Sequence, residues 1–325
     1  MRRSTPTPRR GALPKPQPGH ETGHESGHAE TALTARSRTV VAARKLHRRQ
    51  ARVQTGTFLA EGPQAVREAL ATGVVERLMV TPAALERHPD LVPGHARAAP
   101  ASRLAVNVIS ESAAQALATT VTTQGVFAVC RTMDRPWASL AEPRPTLGVM
   151  LVQDRDPGNV GTIMRTADAV GADAVLLSAG SADVYNPKAV RASAGSVFHV
   201  PHATGVDPTA VIDWARASGV QVLAADARGS VALPELLCGA GESRLAPPTM
   251  WLFGSEAHGV PVDVLSAADA TVGIPIYGAA ESLNVSVAAS LCLYASAFAQ
   301  RGRSLRSGEL SPRPGEPASA PEGAS

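Results

Sequence analysis

Residues 149–166, VMLVQDRDPGNVGTIMRT, decide the fold of this chain. The segment begins with four apolar residues, turns at Pro157-Gly158 and continues with apolar residues at helical spacing. A continuous apolar run is typical of a strand that is buried on both faces of a parallel sheet. Asn159, directly after the turn, is a residue type that caps helices. The segment therefore predicts a strand, a turn and a helix, the unit from which α/β domains are built.

Three further apolar runs extend this pattern: residues 174–177, 220–223 and 250–253. Asn186-Pro187 and Asp207-Pro208 each place a capping residue before a proline, which marks the start of a helix. A last helix is predicted to begin near Ser282 and to run through Phe298. We therefore predict an α/β domain over residues 147–300, with a mainly parallel sheet covered on both faces.

A smaller α/β domain is predicted over residues 38–132. Its strands are expected at residues 57–60, 77–80, 106–109 and 126–129. Helices are expected from Pro63 and from Ser110, after a basic helix at the start of the domain. The proline-rich residues 133–146 are interpreted as a linker between the two domains.

Both ends of the chain lack an apolar period. Residues 1–37 and 301–325 are rich in proline, glycine and small polar residues, so both are predicted to be disordered tails. Within the first tail, His20, His24 and His28 match the HExxH spacing of zinc proteases twice. Glycines interrupt the helix that this motif needs, so we expect no metal site there.

Composition limits the classes of protein that fit. The apolar runs are far shorter than the ~20 residues of a membrane span, so no membrane association is expected. The three cysteines, Cys130, Cys238 and Cys292, form no CxxC pair, which disfavours a zinc finger or a disulfide framework. We expect a cytoplasmic protein. A mitochondrial transit peptide is the alternative, because the first residues are rich in arginine and free of acid.

Charge is unevenly distributed along the chain. Residues 1–56 contain twelve Lys and Arg and three Glu, which leaves 19 basic and 25 acidic residues in the remainder. Arg44, Lys45, Arg48 and Arg49 lie just before the first globular pattern. A basic arm on a mildly acidic body favours a polyanion such as RNA as the partner, and a solvated helix face is the alternative.

Two more segments place glycines and polar residues after predicted strands, where open α/β sheets bind ligands. They are FGSEAHGVP at residues 253–261 and IPIYGAAESLNVSVA at residues 274–288. Glu256 is either a site acid or an ordinary first-turn helix residue. Ser282 by itself fits an N-cap. Asn284 is less easily explained, because an amide that enters an apolar helix needs a hydrogen-bond partner.

Together the three segments resemble the SpoU (TrmH-like) family of RNA ribose 2′-O-methyltransferases, within the SPOUT superfamily. The string N-x-G-x-x-x-R begins at Asn159, G-x-E-x-x-G begins at Gly254, and S-L-N-V-S-V-A begins at Ser282. Each string is ordinary alone, and the three in this order are highly specific. Residues 38–132 also resemble the small substrate-binding domain, similar to ribosomal protein L30e, that many members carry.

The resemblance implies a C-terminal trefoil knot and a homodimer whose active site draws on both subunits. It implies S-adenosylmethionine as the cofactor, held near Gly254, Ile274 and Leu283, and no metal. The positions that match the family's catalytic and RNA-contacting residues are Asn159, Arg165, Glu256, Ser282 and Asn284.

The expected reaction is 2′-O-methylation of a ribose in 23S ribosomal RNA, with tRNA as the alternative substrate. Because a guanidinium stays protonated, we expect Arg165 to grip a substrate phosphate, with Asn159 and Glu256 orienting it. Lys188 and Arg191 are candidate contacts to RNA phosphates, or simply cations on an exposed helix. A non-catalytic RNA-binding or ribosome-assembly protein is the alternative. The missing strand-associated GxGxxG disfavours a nucleotide-dependent oxidoreductase.

Overall fold

Two β-sheets organise the part of the chain that the structure, a computed structural model, describes. That part comprises residues 32–91, 104–237 and 243–307, with side chains up to residue 302. The histidine repeat and most of both predicted tails lie outside the described residues. The described residues belong to one compact unit.

The first domain is a four-stranded sheet flanked by helices. In chain order its elements are α1 (Arg38–Lys45), α2 (Arg49–Thr55), β1 (Thr57–Glu61), α3 (Pro63–Ala71), β2 (Val75–Val80), α4 (Pro82–Arg87), β3 (Ala105–Val108), α5 (Glu111–Leu117) and β4 (Val126–Arg131). The strand order is β1-β4-β2-β3, in which β4 runs antiparallel to both neighbours and β2 is parallel to β3. All four strands and the helices that begin at Pro63 and after Ser110 confirm the sequence prediction.

The second domain is built on a seven-stranded sheet. Its elements are α6 (Trp137–Leu140), β5 (Leu147–Val152), α7 (Pro157–Val170), β6 (Ala174–Ser178), α8 (Pro187–Ala192), β7 (His202–Val206), α9 (Pro208–Ser218), β8 (Gln221–Ala225), β9 (Val231–Ala232), α10 (Leu233–Leu237), β10 (Thr249–Gly254), α11 (Val262–Ala267), β11 (Ala270–Gly273) and α12 (Val285–Ser307). The strand order is β7-β6-β5-β10-β8-β11-β9, and every pairing is parallel. The predicted α/β class with a parallel sheet is confirmed.

Strands β5, β6 and β10 lie in the interior of this sheet and are buried along their whole length. Their continuous apolar runs follow from burial on both faces. Strand β10 also fixes the last helix, because the buried Trp251 Nε1 donates to Ser296 Oγ of α12 at 2.9 Å. That hydrogen bond satisfies the indole N–H inside an apolar core.

The helix caps confirm two predictions and correct a third. The side chains of Asn186 and Asp207 accept hydrogen bonds from backbone N–H groups at the starts of α8 and α9, as predicted. Helix α7 is capped by Asp156, not by Asn159, because Asp156 Oδ1 accepts from the first N–H groups of the helix. Asn159 lies within the first turn, and its side chain is therefore available for other contacts.

The predicted linker, residues 133–146, packs against the second domain. Its short helix α6 places Trp137 edge-on to Trp214 of α9, with ring centroids 5.0 Å apart. The backbone N–H of Arg135 donates to His202 in the edge strand β7, and Leu140 is buried. The indole rings and the backbone hydrogen bond hold this segment on the sheet.

Among the described residues, three polar side-chain contacts join the two domains, beside the packing of the Phe58 ring against Tyr185 and Phe198. Arg52 of α2, only 3% exposed, forms an ion pair with Asp183 after β6 and also donates to two backbone carbonyls of its own domain. Arg191 of α8 donates to Thr119 Oγ1. Because Arg52 has several partners, removing Asp183 would leave a buried charge only partly compensated, which is strongly destabilising.

The third contact is made by His199, between Glu68 of α3 and Asp168 of α7. Its Nε2 lies 3.1 Å from Glu68 Oε2, and its Nδ1 lies 3.0 Å from Asp168 Oδ2. Burial lowers the pKa of His199, but hydrogen bonds and charges of the two carboxylates outweigh burial, so the pKa is raised above 6.5. An imidazolium that is hydrogen-bonded to both carboxylates therefore links the domains at mildly acidic pH.

This contact predicts a pH-dependent stability. A histidine with a raised pKa in the folded state stabilises it fully below the unfolded-state pKa, and this contribution disappears as pH rises through the raised value. We expect the melting temperature to fall modestly above neutral pH, since the imidazole is 41% exposed and solvent screens the pair. His199→Gln should flatten this part of the pH profile. An unchanged profile would contradict the assignment.

Helix α12 continues to Ser307, so the first residues of the predicted C-terminal tail are helical. Among the helices of the described residues, none is both long enough and apolar enough to cross a bilayer.

Candidate active site

A cavity of about 840 Å³ opens at the carboxyl ends of β8, β10 and β11. Its walls come from the three loops that follow these strands, at residues 225–228, 254–259 and 274–284, and from the first turn of α12. Carboxyl ends of parallel strands are where open α/β sheets bind ligands. Gly254, Ile274 and Leu283, the residues expected to hold a cofactor, all line this cavity.

Two glycines allow the loops to approach each other backbone to backbone. A Cβ on Gly254 would lie 2.0 Å from the carbonyl carbon of Gly259. A Cβ on Gly229 would lie 2.2 Å from the backbone nitrogen of Gly273. No side chain fits either place, so these loops pack main chain against main chain where they meet.

Asn159, Glu256 and Asn284 form one hydrogen-bonded cluster beside the cavity. Asn159 Nδ2 donates to Glu256 Oε1 at 3.0 Å, and Asn284 Nδ2 donates to Asn159 Oδ1 at 3.0 Å. Asn284 Nδ2 also donates to Glu256 Oε1. Three separate sequence motifs thus meet at one carboxylate, which gives Asn284 the partners that the sequence required.

Asn284 is also the residue that starts α12. Its Oδ1 accepts from the N–H of Ser286 at 2.9 Å, and its carbonyl accepts from Val287 and Ala288. The expectation that Ser282 caps this helix is therefore wrong. Ser282 is exposed, and it lines the cavity three residues before the helix begins at Val285.

The structure does not bring Arg165 into this cluster. Arg165 lies on α7 six residues after Asn159, which turns it about 120° away around the helix axis. Its side chain is exposed and forms no hydrogen bond or ion pair with the described residues. Its neighbour Thr166 contacts Ser290 of α12 at 2.9 Å, where α7 packs against α12.

The candidate RNA-contacting cations are of two kinds. Arg44, Lys45, Arg48 and Arg49 on and beside α1 and α2 are all exposed. Lys188 and Arg191 of α8 instead have protein partners: Lys188 Nζ contacts both oxygens of Asp156, at 2.9 and 3.1 Å, and Arg191 contacts Thr119 of the first domain.

Asp154, which the sequence did not single out, is a buried carboxylate next to the cluster. It is 2% exposed, its Oδ1 accepts from the N–H of Asp156, and its Oδ2 has no hydrogen-bond partner within the part of the chain that the structure describes. Burial raises the pKa of Asp154 to about 6, and the charges of Asp156 and Glu256 add to the effect.

This raised pKa predicts how Asp154→Asn changes stability. At a pH below the ordinary pKa near 3.8, the carboxyl is neutral in the folded and the unfolded state. As the pH rises to about 6 and beyond, ionisation of the buried carboxyl lowers the free energy of unfolding. The full cost is about 3 kcal/mol for a shift of this size. Asp154→Asn removes the charge but buries an amide without a hydrogen-bond partner, which lowers the free energy of unfolding by about 1–2 kcal/mol. We therefore expect the variant to be more stable than the parent at neutral pH.

Denaturant unfolding near pH 4 and near pH 8 measures this difference. The gain from Asp154→Asn should grow by roughly 2–3 kcal/mol between these values. Asp263→Asn, at an exposed carboxylate of α11, is the matched control and should show no such trend. An equal effect of Asp154→Asn at both pH values would contradict the predicted titration.

Asp226 and Arg228, which the sequence did not single out, also line the cavity, in the loop after β8. They follow the predicted strand at residues 220–223. The expectation that ligands bind at the carboxyl ends of strands, which selected the other segments, could therefore have identified them. No metal-binding group of three His, Cys, Asp or Glu side chains occurs within the described ranges.

This fold and this cavity define an α/β protein with a ligand site at the carboxyl ends of parallel strands. Comparison with known proteins identifies the family. The family model "SpoU rRNA Methylase family" matches residues 146–294, and "MRM3-like substrate binding domain" matches residues 38–128. The chain belongs to the SpoU rRNA methylase family.

Relatives match over most of the chain. The 23S rRNA (guanosine(2553)-2′-O)-methyltransferase RlmP of Bacillus subtilis is 36% identical over 263 residues, 80% of this chain and 96% of that protein. The SpoU methyltransferase AviRb of Streptomyces viridochromogenes, in complex with AdoMet, has a TM-score of 0.67 at 27% identity, covering 82% of this chain and 98% of that one. An AdoMet-bound rRNA methyltransferase of Sinorhizobium meliloti has a TM-score of 0.68 at 29% identity, covering 86% and 99%.

Proposed function

We propose that this protein transfers a methyl group from S-adenosylmethionine to a ribose 2′-hydroxyl of 23S ribosomal RNA. The observation that carries the proposal is the cluster of Asn159, Glu256 and Asn284 at a cavity that fits the cofactor. The RlmP relative supports ribosomal RNA as the substrate, since the similarity includes both domains and that protein is named for 23S rRNA.

The residues of the cavity fit S-adenosylmethionine. Phe253, Val272 and Val285 provide apolar surface for an adenine ring, and Asp226 and Glu256 provide negative charge for a cationic ligand. The main chain around Gly254 can hydrogen-bond to the cofactor without a side chain in the way. When bound, the cofactor supplies an activated methyl group on its sulfonium.

The chain must then position a ribose hydroxyl and stabilise its oxygen as the proton leaves. Glu256 fixes the two amides of Asn159 and Asn284, and this cluster, with Ser282 nearby, shapes the wall that the ribose meets. Arg165 stays protonated and therefore cannot accept the proton. We assign Arg165 to a substrate phosphate beside the hydroxyl, where its charge stabilises the developing alkoxide.

Arg165 can reach such a site if it acts in a second copy of the chain. Helix α12 supports this, because Val287, Leu291, Tyr294 and Phe298 form an exposed apolar stripe along one face. Their side chains are 41–68% exposed, an arrangement that marks an interaction surface. We propose a homodimer through this stripe, with Arg165 of one copy beside the Asn159–Glu256–Asn284 cluster of the other.

Two further expectations belong to the same proposal. The segment from β11 to α12 lines the cavity, and we propose that it is threaded as a trefoil knot, as the family resemblance implies. We also propose that the protein acts in the cytoplasm. The exposed cations of α1 and α2 would bind the RNA backbone beside the substrate-binding domain.

Methyl transfer from labelled S-adenosylmethionine to separated ribosomal RNA and tRNA tests the function. We expect label in 23S RNA at one 2′-O position. Label in tRNA alone would overturn the proposed substrate and retain the chemistry. If neither the RNAs nor ribosomal particles accept label while the protein still binds RNA, a role in RNA binding or ribosome assembly replaces the enzymatic one.

A further inference from the structure

Asp226 lines the cavity, and one of its carboxylate oxygens has no hydrogen-bond partner among the described residues. It is the first residue after β8 and is half-buried. Its Oδ1 accepts from the N–H of Arg228 at 2.7 Å, which closes a tight turn. Its Oδ2 lies 3.9 Å from the position that a Cβ of Gly259 would occupy. The free oxygen therefore lies near Gly259 of the β10 loop, in the wall of the cavity.

The other acidic groups of the cavity differ from Asp226. Glu256 already accepts hydrogen bonds from two amides. Glu281 is exposed to solvent, in the loop before α12. Asp226 alone combines partial burial, a turn that fixes one oxygen, and a second oxygen without a partner among the described residues. A carboxylate held in this way is prepared to accept hydrogen bonds from a ligand.

We propose that Asp226 is a specificity-determining residue for the cofactor, accepting hydrogen bonds from donor groups of S-adenosylmethionine. The inference rests on the proposed function. The cofactor carries two kinds of donor that suit a carboxylate, the ribose hydroxyls and the ammonium of the methionine end. The apolar side chains of the wall cannot accept these hydrogen bonds, so a fixed carboxylate at the β8 loop provides an acceptor for them.

Asp226→Asn is the sharpest test, because it keeps the turn. The amide oxygen of asparagine still accepts from Arg228 N–H, while the free oxygen becomes an N–H donor that repels the donor groups of the ligand. We expect the dissociation constant for S-adenosylmethionine, measured by calorimetry on the full chain, to rise about 10- to 100-fold. Unfolding curves should match those of the parent.

Glu281→Gln is the matched control, because it removes the same charge from the same cavity at an exposed position. A loss of affinity restricted to Asp226→Asn supports direct contact. An equal loss in both variants would overturn it, because the effect would then come from the overall field of the cavity.

Two cofactor fragments identify the donor. Methylthioadenosine keeps the ribose and lacks the amino acid, whereas S-adenosylhomocysteine has both. Weaker binding of both ligands to Asp226→Asn assigns the carboxylate to the ribose, and weaker binding of S-adenosylhomocysteine alone assigns it to the ammonium. Unchanged affinity for all three ligands would refute the inference. If the parent protein binds none of them, the proposed function itself fails, which is a distinguishable result.

Discussion

Arg165→Ala is expected to slow methyl transfer about 10²–10³-fold, the loss seen when one preorganised donor to a developing oxyanion is removed. Arg165 is exposed and has no partner among the described residues, so its removal breaks no contact of the fold. It also lies outside the lining of the cavity, so the dissociation constant of the cofactor should change little. Single-turnover rates and cofactor calorimetry on the same preparation measure both quantities.

The control for this variant is Arg216→Ala, at another exposed arginine of the same domain. It should leave both the rate and the cofactor affinity unchanged. If Arg165→Ala instead loses cofactor binding together with its folding transition, Arg165 is a structural residue and the assignment to the substrate is wrong.

Mixing two inactive variants is expected to restore activity. Arg165→Ala keeps the Asn159–Glu256–Asn284 cluster, and Asn284→Ser keeps Arg165. Serine retains the capping of α12 but loses the amide contacts with Asn159 and Glu256. If Arg165 of one copy serves the cluster of the other, each mixed dimer contains one complete site. Random pairing makes half of the dimers mixed, so about a quarter of the parental activity should return.

The two variants must be unfolded and refolded together, and each alone provides the baseline. No recovery in a mixture that sediments as a dimer would mean that Arg165 acts within its own chain. Leu291→Glu, in the apolar stripe of α12, provides a second control. This substitution should leave the folded chain monomeric, and adding it to both variants should abolish the recovery.

The sequence was most informative where burial is complete. Runs such as 149–152 and 250–253 are apolar because β5 and β10 are covered on both faces, and both strands were predicted. The edge strand β7 was missed, since Thr204 and Gly205 face solvent and interrupt its apolar run. The packing of the linker at residues 133–146 was not predicted, because proline content says nothing about the contact of Trp137 with a tryptophan 77 residues later.

The site shows the same division. The three motifs identified Asn159, Glu256 and Asn284 individually, but their shared hydrogen bonds depend on how three loops meet. Caps were misassigned where two suitable residues stand close together: Asp156 was passed over for Asn159, and Asn284 for Ser282. Propensity alone cannot choose between such neighbours, because the choice depends on which backbone N–H groups lie within reach.

The buried pair of Arg52 and Asp183, with the contacts of His199 and Arg191, leaves the first domain little freedom to swing about the second. The contacts between the domains therefore fix the span from the basic helices α1 and α2 to the cavity. If α1 and α2 bind the RNA backbone as proposed, an RNA would be selected by whether its backbone and its target ribose are separated by that span. The protein would then choose its target nucleotide by the folded shape of the RNA, with little recognition of the neighbouring base sequence.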